Sequence, residues 1–390
     1  MMNRKAWIIV ALLILGVVAT LLARSLWPDQ AEELPSAALE ALPVERSADG
    51  FSRATEPNAV VFPRDLGAHD DFQTEWWYYT GNLATADGRP FGFQFTIFRR
   101  ATLPPGVVAP SDSTWRSDQI YMTHFTVSDI AANRFYPAEQ FSRGAVGLAG
   151  AQADPYRVWL DDWTMEEVGP NQVRLRARAG DMAIDLILTE TLPPVLHGDG
   201  GLSPKGPEPG NASYYYSIVQ QRTTGTVTVG DQAYDVTGLA WKDHEWSTSA
   251  LSPGAVGWDW FSLQLDDGGA LMMFIIRRDD GTLEAASAGS YIAPDGTVTP
   301  LSLGDWELEV TNTWTSPASG AVYPAGWRIR VPSVGLELTG RPMMADQELN
   351  VSTVYWEGAV AFEGTLGGEP VTAKGYIELT GYAGSMEGQL

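Results

Sequence analysis

Residues 77–100 read WYYTGNLATADGRPFGFQFTIFRR. Apolar side chains occupy every second position from Phe91 to Ile97, which is the spacing of one face of an extended strand. Asp87 and Gly88 separate this run from the aromatic run before it, and Asp-Gly readily adopts the positive φ values of a tight turn. The stretch therefore predicts a β-hairpin whose strands each have one buried and one solvated face.

The same pattern returns in residues 258–278, WDWFSLQLDDGGALMMFIIRR. Both stretches run from an aromatic strand through an Asp-Gly turn to an apolar strand and an Arg-Arg pair, although unrelated hairpins share some of this chemistry. Alternation continues from Phe72 onward, and no convincing amphipathic helix interrupts it. A chain of 390 residues exceeds what one hydrophobic core usually organises, so we expect two all-β domains.

Strand edges must be covered in a protein of this kind, and closing a sheet into a barrel removes them. We therefore expect two tandem antiparallel β-barrels, with a pair of sandwiches as the alternative. A barrel of about eight strands is the size that can enclose one small ligand. The boundary between the domains is expected between Thr237 and Trp258, and the Pro- and Gly-rich segment Leu192–Gly210 is expected to form a flap within the first domain.

The N-terminus has the features of an export signal. Arg4 and Lys5 precede an uncharged, mostly apolar run, residues 6–23, which is closed by Arg24. We favour an uncleaved membrane anchor on the extracytoplasmic side of the cell envelope over a cleaved signal that releases a secreted or periplasmic protein. The predicted organisation is a signal segment (1–28), a flexible tether (29–59), a first barrel (60–240) and a second barrel (241–390).

Composition excludes several classes of function. A net charge of -23 repels phosphate backbones and argues against nucleic-acid partners. The chain has no cysteine, and its four histidines are scattered at 69, 124, 197 and 244, so we expect neither a metal site nor a thiol nucleophile. It also lacks H-E-x-x-H, G-x-S-x-G, P-loop and G-x-G-x-x-G motifs. The sequence leaves the oligomeric state open.

The densest group of titratable residues is WKDHEW, residues 241–246. In a strand, His244 and Trp246 share one face, while Trp241, Asp243 and Glu245 share the other. Each face combines an aromatic wall with a group that can move a proton, which makes this segment an acid-base candidate. The alternative is a core histidine that hydrogen bonds to backbone and packs between tryptophans.

Asp259 is a second candidate, because alternation places it on the same face as Phe261 and Leu263. Burial among apolar side chains raises the pKa of a carboxyl group and lets it act as a general acid. The alternative is a carboxylate at the strand mouth that hydrogen bonds to a loop. Trp258 and Trp260 face the other way, and alternation alone does not say which face lines a cavity.

Two further positions could contribute to a binding site. Glu75, Trp77 and Tyr79 share one face of a strand, where they could either line a ligand site or pack in the core. His124 shares a face with Met122 and is a weaker candidate.

These motifs resemble the AttH and carotenoid 1,2-hydratase family. The likeness rests on EWWY at 75–78, His124-Phe125, WKDHEW at 241–246 and GWDW at 257–260, and it extends over residues 60–390. It implies two lipocalin-like barrels and, for some members, hydration of isoprenoid double bonds without a cofactor. By the same resemblance, the functional residues would be His244, Trp246, Trp258 and Asp259.

The leading hypothesis is a hydratase that adds water to a C=C bond of an apolar, isoprenoid-like substrate inside a barrel. Asp259 would protonate the alkene, Trp246 and Trp258 would stabilise the cation, and His244 with Glu245 would activate the water. The main rival is a non-catalytic carrier of a lipid or other apolar small molecule. A third reading, secreted hydrolase, is a label common in the family. The hydratase hypothesis requires His244 and Asp259 to open into one cavity.

Overall fold

The computed structural model describes residues 48–107, 113–248 and 251–386. The predicted membrane segment, and the predicted tether as far as residue 47, lie outside the described residues. Within the described residues, no helix is long and apolar enough to cross a membrane. The end of the predicted tether is packed rather than flexible, because Phe51 and Ala54 are buried and Asn58 N–H donates to the carbonyl of Gly200.

The described chain is almost entirely antiparallel sheet, as predicted. Its only helical segments are two short 3₁₀ turns, Arg64–Leu66 and Pro332–Val334. The two sheets curl into a barrel and a half-barrel, which is the arrangement of tandem lipocalin-like barrels and excludes the pair of sandwiches. The predicted hairpins are both present, as strands β1–β2 and β14–β15.

The first sheet has thirteen strands in the order β4-β3-β2-β1-β13-β12-β9-β8-β7-β6-β5, with β10 and β11 added to β12. Their bounds are β1 Thr74–Ala84, β2 Pro90–Ala101, β3 Gln119–Asp129, β4 Arg134–Arg143, β5 Ala149–Ala153, β6 Tyr156–Leu160, β7 Trp163–Gly169, β8 Gln172–Ala179, β9 Met182–Glu190, β10 Val195–Leu196, β11 Leu202–Pro204, β12 Ala212–Val229 and β13 Gln232–Ser247.

The second sheet has ten strands in the order β17-β16-β15-β14-β23-β22-β20-β19-β18, with β21 added to β22. Their bounds are β14 Ala255–Leu265, β15 Ala270–Arg278, β16 Ala288–Ile292, β17 Val298–Ser302, β18 Glu307–Thr315, β19 Val322–Val331, β20 Leu336–Pro342, β21 Glu348–Asn350, β22 Val354–Leu366 and β23 Glu369–Leu379. The last strand of the first sheet ends at Ser247 and the first strand of the second begins at Ala255, so the predicted domain limit at 240/241 falls within β13.

Each sheet wraps its own apolar core. Phe93, Phe95 and Trp163 are fully buried in the first, and Phe261 and Trp327 are fully buried in the second. The prediction of one solvated face is wrong for the strands between the two cores. A third cluster, which includes Tyr78, Trp241, Trp260, Phe274 and Tyr376, occupies the faces of β1, β13, β14, β15 and β23 that point away from the cores.

The two sheets pack against each other through these outer faces. Gln264 of the second sheet donates hydrogen bonds to the carbonyls of Val219 and Ala240 in the first, at 2.8 and 3.0 Å. Asn82 of the first sheet donates to the carbonyl of Gly375 in the second, at 3.0 Å. Central strands are consequently buried on both faces.

Candidate functional site

A pocket lies between the outer faces of the two sheets, outside both barrel cores. Its empty volume is about 1050 Å³, the open mouth included. The first sheet contributes Thr74, Trp76, Tyr78, Thr96, Phe98, Tyr215, Asp243, Glu245 and Ser247, and the second contributes Trp258, Trp260, Phe274, Ile276, Tyr355, Glu357 and Glu378. Lys205 and Leu251, from the segments between strands, complete the lining.

Strand alternation explains which side chains reach the pocket. On β13, Asp243 and Glu245 face it, whereas His244 and Trp246 face the first barrel. The alternation predicted for residues 241–246 is therefore confirmed. β1 lies directly beside β13, with Trp77 opposite His244, so Tyr78 faces the pocket and Trp77 the core.

Asp243 is buried in a ring of three donors. Its Oδ1 accepts hydrogen bonds from Trp241 Nε1 at 2.7 Å and from the Ser217 hydroxyl, and its Oδ2 accepts one from Tyr215 at 2.9 Å. Burial raises the pKa of this carboxyl to about 7, although the three donors oppose the shift. The ring fixes the carboxyl in place and occupies both of its oxygens.

Glu357 presents a less satisfied carboxyl group. The Tyr78 hydroxyl donates to its Oε1, while Oε2 is buried and has no well-aligned hydrogen bond from a described residue. Burial, reinforced by the negative charge of Glu378, raises the pKa of Glu357 well above its ordinary value. Burial therefore favours the protonated form of Glu357, and one of its oxygens accepts no hydrogen bond from the described residues.

Glu378 lies beside Glu357 on the neighbouring strand. Trp258 Nε1 donates to its Oε2 at 3.0 Å, and no hydrogen bond from the described residues reaches Oε1. Burial, together with smaller contributions from the nearby charges of Asp243 and Glu245, raises the pKa of this carboxyl to about 7. Near neutral pH, Glu378 is thus divided between its acid and carboxylate forms.

The predicted flap closes one side of the pocket. Its Lys205 pairs with Glu245 at 3.0 Å, and the ammonium lies 4.0 Å from the centre of the Phe274 ring. The same segment supplies His197, whose Nε2 lies 2.7 Å from the Ser217 hydroxyl that holds Asp243. Burial lowers the pKa of His197 to about 3, so this ring is neutral. The sequence analysis did not assign His197 a role, because a loop position gives no burial signal.

His244 belongs to a separate network inside the first barrel. Its Nε2 lies 2.9 Å from Glu75 Oε1, which His69 Nδ1 approaches to 2.7 Å, and Arg99 Nε donates to Glu75 Oε2 at 2.8 Å. His69 stacks on Trp246 with ring centres 3.8 Å apart. Burial lowers the pKa of His244 to about 4, whereas hydrogen bonds to Asp65 and Glu75 outweigh burial and raise that of His69 to about 9.

His69, Glu75 and His244 offer three ligand atoms within 4.8 Å of one another, a spacing that could hold a metal ion. The hydrogen bonds of these three residues do not favour a bound metal ion. Glu75 already accepts the backbone N–H of His69 and the Arg99 guanidinium besides the two rings, and a divalent cation would lie next to that guanidinium. We read this group as a buried ion-pair and hydrogen-bond network.

The structure does not bring His244 and Asp259 into one cavity, because both lie on strand faces that point away from the pocket. Asp259 faces the second barrel, where it pairs with Arg277 at 2.8 Å and accepts the Tyr382 hydroxyl at 3.0 Å. Burial raises the pKa of Asp259, as the sequence suggested, but the group is held in an ion pair. The mechanism drawn from sequence therefore does not fit this pocket.

The other predicted site residues divide between the pocket and the cores. Glu245 and Trp258 line the pocket, and Trp241 donates a hydrogen bond to the lining residue Asp243. Trp77 and Tyr79 are fully buried in the first core. Predicted residues that do not line the pocket are therefore His244, Asp259, Trp246, Trp241, Glu75, Trp77, Tyr79 and His124.

Three pocket residues were not predicted from the sequence, namely Tyr355, Glu357 and Glu378. Glu357 and Glu378 each interrupt an otherwise apolar strand, VYWEGAVAF and YIEL, and an acidic residue in such a run was the available signal. His124 does not line the pocket but contacts a residue that does, because its Nδ1 lies 2.6 Å from the Tyr355 hydroxyl.

Comparisons with known proteins agree with this architecture. The crystal structure of a protein assigned as AttH from Nitrosomonas europaea is 38% identical, with a TM-score of 0.75 over 85% of this chain and 100% of that one. Kievitone hydratase from Nectria haematococca is 14% identical, with a TM-score of 0.63 over 87% of this chain and 99% of that one, and so shares the fold. No curated protein matches the chain. The AttH-like family model matches residues 53–382, and the chain therefore belongs to the AttH-like family.

Proposed function

We propose that the pocket between the barrels binds an apolar molecule that contains a C=C bond, and that it catalyses the addition of water to that bond. The observation that carries this proposal is the pairing of buried carboxyl groups of raised pKa with an aromatic lining. Groups whose pKa values are pushed apart by their surroundings can act as acid and base in one site. Kievitone hydratase shares the fold and is named for a hydration, but the argument rests on the pocket.

Glu357 is the proposed general acid. Burial and the negative charge of Glu378 both favour its protonated form, and its Oε2 accepts no hydrogen bond from the described residues. Glu378 is the proposed general base, because its pKa of about 7 leaves a carboxylate fraction at neutral pH and its Oε1 is available for water. Asp243 and Tyr215 are positioning groups, since their polar atoms bond to each other and to Trp260.

The reaction would proceed in two proton transfers. Glu357 gives its proton to one alkene carbon, and the resulting carbocation is stabilised by the π-systems of Trp258 and Trp260. A water oxygen attacks the cation while Glu378 takes a proton from that water, so that H and OH have been added. Glu357 is left as a carboxylate and Glu378 as an acid, so before the next turnover Glu357 must regain a proton and Glu378 must release one.

The test is hydration of defined alkenes in water labelled with heavy oxygen, followed by mass spectrometry. Squalene and 1-octadecene are suitable probes, as an isoprenoid and an unbranched alkene. We expect Glu357→Gln and Glu378→Gln each to lower the rate about 100-fold or more. His244→Gln and Asp259→Asn are the comparison variants. These two residues lie on β13 and β14, which also contribute side chains to the pocket, but they face the barrel cores.

Loss of activity in Asp259→Asn with retention in Glu357→Gln would refute this placement of the acid. Extraction of the native protein with organic solvent tests the rival function. An unmodified lipid, held equally by wild type and both glutamine variants, would favour a carrier, and cleavage of an ester probe would favour a hydrolase.

We also propose, from residues 4–24 alone, that the protein acts on the extracytoplasmic side of the membrane.

A further inference from the structure

A chain of hydrogen-bonding groups leads from the surface to Glu357. His124 Nε2 lies 3.0 Å from Glu139 Oε1, and His124 Nδ1 lies 2.6 Å from the hydroxyl of Tyr355. Tyr355 and Glu357 lie two residues apart on one face of β22, so their side chains are neighbours on that face. Both Tyr355 and Glu357 line the pocket, whereas His124 and Glu139 do not.

The strand register builds this chain across the junction of the two sheets. His124 on β3 lies directly opposite Glu139 on β4, both in the first sheet. Tyr355 belongs to the second sheet, so the His124 ring bridges the two. Glu139 is partly exposed and bonds to the exposed Ser352, which places the outer end of the chain at the protein surface.

We propose that Glu139, His124 and Tyr355 form a proton relay that returns a proton from solvent to Glu357 after each turnover. This inference rests on the proposed function, which leaves Glu357 as a carboxylate. A proton taken up by Glu139 enters the ring at Nε2, the ring's Nδ1 proton passes to the Tyr355 oxygen, and the phenol proton passes to Glu357. One proton arrives at Glu357, and neither His124 nor Tyr355 changes its charge. The ring is left as its Nε2–H tautomer and regains the Nδ1–H tautomer before the next cycle.

The relay gives a reason for a histidine at this position. His124 is 2% exposed and does not touch the pocket, so its ring serves neither the lining nor the surface. Its two nitrogens instead connect a surface carboxylate to a pocket phenol. Tyr78 provides a built-in comparison, because it also hydrogen bonds to Glu357 but leads to no such chain among the described residues.

The relay can be tested without knowledge of the substrate. The protein is transferred rapidly into D₂O near neutral pH, and the infrared C=O band of the protonated Glu357 carboxyl, identified by its loss in Glu357→Gln, is followed as it shifts on deuteration. We expect Tyr355→Phe and His124→Gln to slow this exchange by about tenfold or more. Tyr78→Phe removes the other phenol and is the matched control, with exchange close to the wild-type rate.

Equal exchange rates in all four proteins would overturn the relay, since they would mean that protons reach Glu357 through the pocket mouth. A slowdown in Tyr78→Phe equal to that in Tyr355→Phe would also overturn it, because loss of either phenol would then act through packing alone. Failure of the proposed function has a different signature, in which exchange depends on Tyr355 and His124 as described while no alkene is hydrated.

Discussion

The variant Glu378→Gln should gain stability relative to the wild type as the pH rises. The Glu378 carboxyl has an ordinary pKa of 4.5 and a pKa of about 7 in the folded protein, because burial disfavours its charged form. The folded state then binds more protons than the unfolded state between these two values, so this group lowers the stability as pH increases through that window. Below the unfolded pKa both states are protonated, and the effect vanishes.

The magnitude follows from the two pKa values. The difference between 4.5 and about 7 corresponds to roughly 3 kcal/mol of destabilisation when it is fully expressed above the folded pKa. Most of this, about 2 to 3 kcal/mol, is expressed between about pH 5 and about pH 8. Glutamine has no charge to desolvate and keeps a carbonyl oxygen that can accept the Trp258 indole N–H, so the variant should lack this change.

The assay is urea unfolding of wild type and Glu378→Gln at both pH values. The quantity of interest is the difference in free energy of unfolding between the two proteins, because contributions from titrating groups that do not interact with residue 378 cancel in it. Glu309→Gln is the control, because it removes a carboxyl group that is mostly exposed. It measures how much the free energy of unfolding changes over the same pH range when a surface carboxylate is lost. A wild-type-minus-variant difference that is the same at both pH values, within about 0.5 kcal/mol, would refute the raised pKa of Glu378.

Three further predictions concern stability. Glu75→Gln should destabilise the protein by about 3 kcal/mol or more in urea unfolding, because it leaves the Arg99 guanidinium buried beside a neutral group; a loss below about 1 kcal/mol would contradict this. The pKa of His69 is raised to about 9 in the folded protein, so the stabilisation of the fold by this residue is complete below pH 6.5 and is lost as the pH rises towards 9. His69→Asn should abolish that part of the pH dependence of the free energy of unfolding, and an unchanged pH dependence would contradict this. Gly375→Ala should lower the thermal midpoint sharply, because its Cβ would lie 1.7 Å from a backbone oxygen of β14, whereas Gly384→Ala, which meets nothing within 4 Å, is the control; equal midpoints would contradict the packing.

The sequence predicted the strands and their faces well, because alternation is a local property. It separated His244 and Trp246 from Asp243 and Glu245, and the structure has them on opposite faces of β13. Alternation could not say which face meets the other barrel. The histidine was favoured as the reactive group, yet the pocket lies on the carboxylate side. His69 precedes the first predicted strand and so carried no pattern that would mark it, yet the chain before β1 folds back to place it on Glu75.

The position of the pocket explains why two barrels are needed. Each barrel fills its interior with large aromatic and aliphatic side chains, such as Phe93 and Phe95 in the first. The proposed acid and base, Glu357 and Glu378, both belong to the second sheet, whereas Tyr78, which donates to Glu357, belongs to the first. Neither barrel alone would bury these carboxyl groups, and burial is the main cause of their raised pKa values. Docking of the barrels therefore produces the raised pKa values as well as the cavity, so a substitution that loosens the junction should lower the pKa of Glu378 before it unfolds either core.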